Sequence, residues 1–335
     1  MVDSQDNADG SGTPPSSPLS SLPPSPPSPS PGVKAYQLLK HEIALRRDFI
    51  SFIDHLFNSK RIAALLGAGL SVPSGIPTFR LDPTKLASEH SMDEENAPVS
   101  WQFWADRRRN ALEAKPNLAH FALAELAKKK DFLAISQNID GLCERAGHPS
   151  NSLVRFHGCM FHLKCHNALT IHMSVNTKDP IVPALAIKQQ EGVNNEIRYD
   201  ELPICKAPHC RELLRPDVVF YGEAPAEKAV HAADAWYSKD GVDLMLVIGT
   251  TAVVRPACDY IDKAMEGGAK VAIINLAARG SGAGEEADGE AAVNAQFAAK
   301  ADWYFQGDVA AILPALLREV VGSLEDTEEE ELAFV

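Results

Sequence analysis

Short apolar runs alternate with segments of helical periodicity along most of the chain. Residues 33–58 and 101–129 carry apolar side chains at helical spacing. The runs between and beyond them are short enough to be buried strands, and they are Arg61–Leu66, Phe132–Ile135, Val218–Phe220, Leu244–Ile248 and Val271–Ile274. Strands that alternate with helices predict an α/β fold, with a parallel sheet covered by helices on both faces.

Several regions depart from this alternation. Residues 1 to about 32 hold nine of the chain's 23 prolines, interleaved with serine, and we expect a disordered tail because so little apolar area is available for burial. Gly280–Gly289 is predicted to be a surface loop, and residues 323–335 an acidic tail. Residues from about 159 to 213 interrupt the rhythm, so we predict a small inserted module within a catalytic domain. That domain would span 33–322, with 33–158 and 214–322 as its large part.

Composition excludes several classes of protein. The net charge of −13, from 32 basic and 45 acidic residues, argues against a direct nucleic-acid partner. No apolar run is long enough to cross a bilayer, so no membrane partner is expected. Six cysteines in 335 residues are too few for a disulfide scaffold and indicate a reducing compartment. Without a secretory signal or an Arg-rich presequence, the prediction is a cytoplasmic or nuclear protein.

The first predicted strand leads into a glycine-rich turn, LGAGLS at 66–71, which should open a helix. Glycines at such a turn let the backbone approach a pyrophosphate. A plain strand-to-helix turn explains the glycines equally well, since Val72 stands where a third glycine would complete the dinucleotide-binding pattern. The segment continues as SGIPTFR at 74–80, however, and the whole stretch is much more specific than its glycines.

Two further motifs follow the strand that ends at Ile135. They are SQNIDGL at 136–142 and RFHG at 155–158. In an open parallel sheet, ligands bind at the carboxyl ends of strands, so these polar side chains should project into a site. A lone histidine is more often a core residue than a catalyst, but the pairing of the two motifs favours a catalytic role for His157.

In order and spacing, from about Arg61 to Gly322, these segments resemble the sirtuin family of NAD-dependent protein-lysine deacylases, whose glycine signature is GAGxSxxSGIPxFR. The resemblance implies a Rossmann-like sheet with a small inserted module of the zinc-binding type. It also implies NAD as cofactor and transfer of the acyl group from lysine to ADP-ribose, with release of nicotinamide. The partner would then be an acylated-lysine protein or peptide.

The resemblance also implies roles for individual residues. His157 would be the general base, assisted by Asn138 and Asp140. A proton leaving a ribose hydroxyl suits an imidazole near neutral pH, and fixed amide dipoles suit a cationic sugar centre. The implied NAD-binding residues are Gly67, Ala68, Gly69, Ser71, Thr78, Phe79, Arg80, Gln137, Asn138, Ile139, Asp140, Gly249, Thr250, Thr251, Asn275, Leu276 and Val309.

Three cysteines occupy positions of the family's structural zinc site, namely Cys165, Cys205 and Cys210. The family's fourth cysteine is replaced by Ala168, and structural zinc requires four protein ligands. His166, His172 or His209 could complete the set. The alternative is a module that has lost its metal and is held by packing. The remaining cysteines, Cys143, Cys159 and Cys258, are interpreted as core residues.

The segment LLRPDVVFYGE at 213–223 resembles the part of the family that pairs with an extended substrate. The branch that removes acidic acyl groups holds the substrate carboxylate with a Tyr-x-x-Arg pair. Here Arg107 is present and Trp104 replaces the tyrosine, so a preference for succinyl, malonyl or glutaryl groups is expected. A solvated basic helix face over residues 107–109 is the alternative. The implied substrate residues are Trp104, Arg107, Val219, Phe220, Tyr221, Gly222, Glu223 and Val254.

The sequence is also compatible with other functions. Mono-ADP-ribosyl transfer would use the same pocket with a different nucleophile. A catalytically weak NAD or acyl-lysine sensor is suggested by the unusual loop LDPTKL at 81–86 and by the incomplete cysteine set, although Asn138, Asp140 and His157 argue against it. A relative of deoxyhypusine synthase would share the sheet but not the motifs around His157 and Glu223. The oligomeric state is not predicted.

Overall fold

The computed structural model describes residues 46–78, 89–166, 172–186, 197–279 and 293–324. The contacts divide the chain at residue 46, and the fold below belongs to the unit that follows. The N-terminal tail, the loop at 81–86, Ala168, Gly280–Gly289 and the acidic run near the C-terminus lie outside the described residues. The predicted domain boundaries stay predictions.

Nine strands are described, in two sheets. They are β1 (Arg61–Leu66), β2 (Asp131–Ser136), β3 (Leu153–Arg155), β4 (Gly158–Cys165), β5 (Met173–Val175), β6 (Leu214–Val218), β7 (Leu244–Ile248), β8 (Lys270–Asn275) and β9 (Trp303–Gln306). Six of them form a sheet in the order β3-β2-β1-β7-β8-β9, and all the pairings in it are parallel.

Helices cover both faces of this sheet. The helices are α1 (46–58), α2 (Ala97–Glu113), α3 (Leu118–Lys129), α4 (Leu142–Arg145), α5 (Glu227–Tyr237), α6 (Asp259–Glu266), α7 (Ala295–Lys300) and α8 (Val309–Val321). Side chains of β1 alternate between two separate core clusters, Ile62 and Leu66 on one side and Leu65 on the other. The predicted α/β, Rossmann-like fold is therefore confirmed.

The helical stretch predicted from Trp101 to Lys129 is in fact two helices. The break follows α2 at Lys115 and Pro116, because Pro116 has no amide hydrogen to donate and disfavours the helical conformation at Lys115. Asn117 then caps α3, its side-chain oxygen accepting from the amide of Ala119 at 3.0 Å. No helix among the described residues is long and apolar enough to span a membrane.

A second, antiparallel sheet has the strand order β5-β4-β6. It carries Cys165 at the end of β4 and places β6 just before the predicted substrate segment. The prediction of a main-sheet strand over Val218–Phe220 was wrong. The strand ends at Val218 and belongs to the small sheet, while Phe220 begins a turn closed by its carbonyl and the Glu223 amide.

Candidate active site

The candidate active site lies where the order of strands reverses. β1 and β7 are neighbours, although β2 and β3 lie on one side of them and β8 and β9 on the other. The loops that leave the carboxyl ends of β1 and β7 therefore diverge, and in open α/β sheets the crevice between such loops is where ligands bind. The first loop contains the glycine turn, and the second contains Gly249, Thr250 and Thr251.

The two loops pack backbone against backbone, and glycines make this possible. A Cβ on Gly69 would lie 2.7 Å from the Cα of Gly249, and one on Gly67 would lie 2.5 Å from the Cβ of Thr250. Gly249 has a positive φ of 58°, and a Cβ added to it would lie 2.5 Å from the amide nitrogen of Leu70. The glycines are thus required by the contact between the loops, independently of any phosphate.

The helix predicted after the glycine turn is replaced by two short 3-10 turns, Ala68–Leu70 and Val72–Ser74. Pro73 cannot donate a hydrogen bond within a helix, and Gly75, with a φ of 87°, ends the second turn in the left-handed conformation. The predicted helix is therefore limited to these two 3-10 turns, and the polypeptide remains tightly curved over the carboxyl end of β1.

Three predicted site residues form one hydrogen-bonded group. The Ser71 hydroxyl donates to the carboxylate of Asp140 at 2.7 Å. The Asn138 amide donates to the carbonyl oxygen of Gly67 at 3.0 Å and to the Ser71 oxygen at 3.3 Å. Burial raises the pKa of Asp140, an effect opposed by hydrogen bonds from the Leu142 amide and from Ser71. The network holds the glycine turn and the segment after β2 in one arrangement.

His157 follows β3 and is held by the backbone. Its Nδ1 lies 3.0 Å from the carbonyl oxygen of Gln137. Burial lowers the pKa of His157 below 6.5, and this hydrogen bond offsets only part of the effect. Sequence reasoning did not single out Gly158, whose φ is 85° and where a Cβ would lie 2.0 Å from the carbonyl oxygen of Asp217. This position requires glycine, because β4 must pass that close to β6.

A second chain of hydrogen bonds crosses the crevice. The Thr250 hydroxyl donates to the side-chain oxygen of Gln137 at 2.7 Å. The Asn275 amide, at the end of β8, donates to the carbonyl oxygen of Thr250 at 3.1 Å. The segment after β2 is therefore linked to the loops after β7 and β8, and Gln137 connects this chain to His157.

The other predicted NAD-binding residues differ in exposure. Thr78 is exposed, Leu276 is 46% exposed, and Ala68, Ile139 and Thr251 are half-buried. The side chain of Val309 is buried in the core cluster that covers one face of the sheet. Phe79 and Arg80 lie outside the described residues.

The predicted substrate segment is a turn fixed by an ion pair. The two terminal guanidinium nitrogens of Arg215 donate to the carboxylate of Glu223, at 2.6 and 2.7 Å, and the Phe220 amide donates to the same carboxylate at 3.0 Å. Partial burial acts to raise the pKa of Glu223, but these hydrogen bonds outweigh it and lower the pKa to about 2. Glu223 is thus engaged in holding the turn, which leaves Tyr221 65% exposed at its tip.

An aromatic cluster joins this turn to α2. The rings of Trp104 and Phe220 are stacked with centroids 5.6 Å apart, and His90 lies edge-on to both. Trp104 is 2% exposed, and its indole nitrogen has no hydrogen-bond partner in the described structure. The guanidinium carbon of Arg107 lies 3.5 Å from the ring centre of Phe103. Sequence reasoning missed His90, which no local motif distinguishes.

The alternative of a solvated basic face over residues 107–109 fails at its centre. Arg108 is 1% exposed, and its guanidinium donates to the carbonyl oxygens of Met160 and Asn176, the latter at 2.7 Å. Arg109 makes ion pairs with Asp106 and Asp179, both at 3.0 Å. Arg108 therefore connects α2 to the small sheet through buried hydrogen bonds and is not part of a solvated face.

The three predicted zinc-binding cysteines converge. Cys165, Cys205 and Cys210 are buried and form a small cluster of their own. His172 lies beside them, and its Nδ1 is 3.7 Å from the sulfur of Cys165. Cys143, Cys159 and Cys258 are buried elsewhere, in agreement with their interpretation as core residues.

Comparisons with known proteins identify similarity to Sir2-type deacylases. A family model described as the Sir2 family matches residues 67–256. An NAD-dependent protein deacylase of Candida albicans is 32% identical over 321 residues, which cover 84% of this chain and 100% of that protein. The mitochondrial NAD-dependent protein deacylase sirtuin-5 of Danio rerio is 33% identical over 245 residues, which cover 68% of this chain and 78% of that protein.

Solved structures agree with these relatives. A crystal structure of a Sir2 homolog in complex with NAD has a TM-score of 0.61 and 27% sequence identity, covering 81% of this chain and 93% of that one. A structure of Sir2 with a p53 peptide and NAD⁺ has a TM-score of 0.59 and 28% identity, covering 80% of this chain and 97% of that one.

Proposed function

The chain belongs to the Sir2 family and is an NAD-dependent protein deacylase acting on acylated protein or peptide, and we propose that it prefers acidic acyl groups on lysine. The acyl groups proposed are succinyl, malonyl and glutaryl. The observation that carries the proposal is the stack of Trp104 on Phe220, because it joins the predicted acyl-recognition helix to the predicted substrate turn.

The residues at the strand reversal suit NAD. Their side chains are hydroxyls and carboxamides, from Ser71, Gln137, Asn138, Thr250 and Asn275, and such neutral groups complement ribose hydroxyls and a carboxamide. When bound, NAD supplies a ribose carbon with nicotinamide as its leaving group. The glycine turn would let the phosphates approach its backbone closely, beside amides of Gly67, Gly69, Leu70 and Ser71 that already donate to backbone carbonyl oxygens.

His157 is suited to be the general base. A carbonyl oxygen can only accept a hydrogen bond, so the contact with Gln137 assigns the hydrogen to Nδ1 and leaves the lone pair on Nε2. Because burial lowers its pKa, the ring is neutral at pH 7 and can accept a proton from a ribose hydroxyl. Asn138 and Asp140, joined through Ser71, orient the nicotinamide end of the pocket in this proposal.

The substrate chain would enter beside the turn. The Val219 amide donates to the carbonyl oxygen of His157 at 3.0 Å, so the start of the turn lies next to His157. Tyr221 and Val254 are exposed apolar side chains, at 65% and 46%, and together with Gly222 they would line the path of an extended peptide. Val219, Phe220 and Tyr221 would line the tunnel for the lysine stem.

Two groups on α2 would recognise the acyl carboxylate. The buried indole N–H of Trp104 is a donor without an acceptor in the described structure, which costs free energy unless a ligand satisfies it. Arg107 lies one helical turn further along, and its planar guanidinium can pair with a carboxylate through two parallel hydrogen bonds. Neither group would contribute to the binding of an acetyl group.

The test is a comparison of acetyl-, succinyl- and glutaryl-lysine peptides of one sequence, with deacylated peptide and O-acyl-ADP-ribose followed by mass spectrometry. We expect kcat/KM to be highest for an acidic acyl group. Arg107→Met should reduce that value by about 10- to 100-fold, since charged hydrogen bonds contribute about 1.5–3 kcal/mol, and should leave acetyl turnover within about twofold. Arg109→Met is the matched control, because its surface ion pairs lie outside the aromatic cluster.

Equal kcat/KM for acetyl and succinyl peptides, or unchanged succinyl turnover in Arg107→Met, would refute the acyl preference. The deacylase activity is tested separately by His157→Ala, which should abolish product from every peptide. NAD-dependent labelling of an unacylated acceptor protein, without deacylation, would instead indicate ADP-ribosyl transfer.

A further inference from the structure

We propose that Cys165, His172, Cys205 and Cys210 form a Cys₃His zinc site, in which His172 supplies the ligand that Ala168 cannot. Their ligand atoms all lie within 4.8 Å of one another. This assignment concerns the identity of the fourth ligand and does not depend on the acyl group that the enzyme prefers.

The distances match a tetrahedral site. With Zn–S bonds of about 2.3 Å, two sulfurs at the tetrahedral angle are about 3.8 Å apart. The sulfurs of Cys165 and Cys210 are 3.7 Å apart, and the sulfur of Cys165 is 3.7 Å from Nδ1 of His172. Imidazole and thiolate are the usual ligands of structural zinc, and a Cys₃His set is one of its regular combinations.

The backbone around the cysteines fits metal thiolates. The Ala207 amide donates to the sulfur of Cys205 at 3.5 Å, a contact that favours a negatively charged sulfur. The Cys165 amide donates to the carbonyl oxygen of His172 at 3.2 Å and fixes the two ligand-bearing segments together. Residue Cys205 is held in turn by the carbonyl oxygen of Glu212, at 2.9 Å. Three separate segments are thereby brought to one point.

The two other histidines near the cluster are poorly placed. His166 follows Cys165 directly, and consecutive residues leaving a strand point to opposite sides. His209 is exposed and has a positive φ of 61°. Neither belongs to the group of close ligand atoms formed by the described residues.

Cobalt substitution of the full-length protein distinguishes these ligand sets. Protein purified without added zinc is analysed for metal content, and Co²⁺ is then exchanged into it for absorption spectroscopy. We expect a stoichiometry near one zinc per chain and a tetrahedral cobalt spectrum with thiolate charge-transfer bands. His166→Ala and His209→Ala, as matched controls, should keep both the zinc content and the spectrum.

Variants of His172 provide the decisive comparison. His172→Ala should bind zinc at least about tenfold more weakly, since even outer-shell changes cost 10- to 100-fold. His172→Cys should hold zinc and show a cobalt spectrum with stronger thiolate bands, as a fourth sulfur replaces nitrogen. If His172→Ala fails to fold, the spectrum of His172→Cys still decides the assignment.

Three results would overturn the proposal. One is stable wild-type protein with a zinc content near zero. Another is a cobalt spectrum that is the same in His172→Cys as in the wild type. The third is loss of metal in His166→Ala or His209→Ala while His172→Ala retains it.

Discussion

Nδ1 of His157 lies 3.0 Å from the carbonyl oxygen of Gln137, and Gln137 in turn accepts a hydrogen bond from Thr250 at 2.7 Å. The proposed base is therefore oriented by a residue that also contacts the loop after β7. Its tautomer follows from a backbone atom that cannot donate, and its low pKa follows from burial.

The first prediction concerns the pH dependence of deacylation. A base must be neutral, so activity is lost as the pH falls through the pKa of His157 in the folded enzyme. Because that pKa is lowered from 6.5, the acidic limb of kcat/KM for an acetyl-lysine peptide should lie below pH 6.5. An acetyl peptide is used because its acyl group does not titrate. A limb centred above pH 7 would contradict the assignment of a buried His157 with a lowered pKa as the base.

The second prediction tests the indole of Trp104. Trp104→Phe keeps a ring against Phe220 but removes the N–H. The ratio of succinyl to acetyl kcat/KM should fall about tenfold, mainly through KM, because a charged acceptor loses one hydrogen bond. Trp101→Phe is the control, since its indole donates to the carbonyl oxygen of Leu214 at 2.8 Å and should affect stability alone. An unchanged ratio in Trp104→Phe would show that the indole does not contact the acyl group.

The third prediction tests the group that joins the glycine turn to the segment after β2. Ser71→Ala removes the donor to Asp140 and the acceptor for Asn138. A buried carboxylate that loses a hydrogen-bond donor, here Asp140, costs about 1–3 kcal/mol. We therefore expect kcat/KM for NAD to fall about 10- to 100-fold. Ser74→Ala, in the same loop, should change it by less than about threefold. Equal effects of the two changes would assign the loss to the loop's stability.

The fourth prediction concerns the contact between the two loops. Gly249→Ala would place a Cβ 2.5 Å from the Leu70 amide, at a residue with a φ of 58°. Backbone atoms must move to accommodate the added Cβ, so the free energy of unfolding should fall by about 1–3 kcal/mol and the protein should unfold at a lower temperature. NAD binding should also weaken. Gly267→Ala, where the nearest atom is at 3.4 Å, should leave both nearly unchanged. Full NAD affinity in Gly249→Ala would mean that the loop contact is not needed for the cofactor.

The fifth prediction concerns stability in acid. Burial lowers the pKa of His120 to about 3 and that of His148 to about 4. At pH values between these pKa values and 6.5, the pKa of histidine in the unfolded chain, the unfolded chain binds more protons than the folded one. The free energy of unfolding therefore falls as the pH falls. From pH 7.5 to 5.0 each histidine should cost about 2 kcal/mol, measured by urea unfolding. His120→Gln should remove about 2 kcal/mol of this pH dependence, whatever its effect at pH 7.5. An unchanged slope in His120→Gln would exclude it as a source.

The sequence alone determined the local elements and the linear motifs. Apolar runs such as residues 62–66 and Leu244–Ile248 predict strands because a strand buried on both faces consists almost entirely of apolar side chains. The motifs around Gly67 and His157 are contiguous, so their likeness to the Sir2 family is visible without knowledge of contacts. Periodicity along the chain did not predict the effect of single prolines. Pro116 divides one predicted helix, and Pro73 lies in a predicted helix that is limited to two 3-10 turns.

Only the tertiary structure decided which distant groups meet. Ser71 and Asp140 are 69 residues apart in sequence and form one hydrogen bond because β1 and β2 are neighbours in the sheet. The stacking of Trp104 on Phe220, and the choice of His172 among three histidines, depend on how the small sheet packs and closes. Such contacts arise from long-range packing, which periodicity and motif spacing along the chain do not encode.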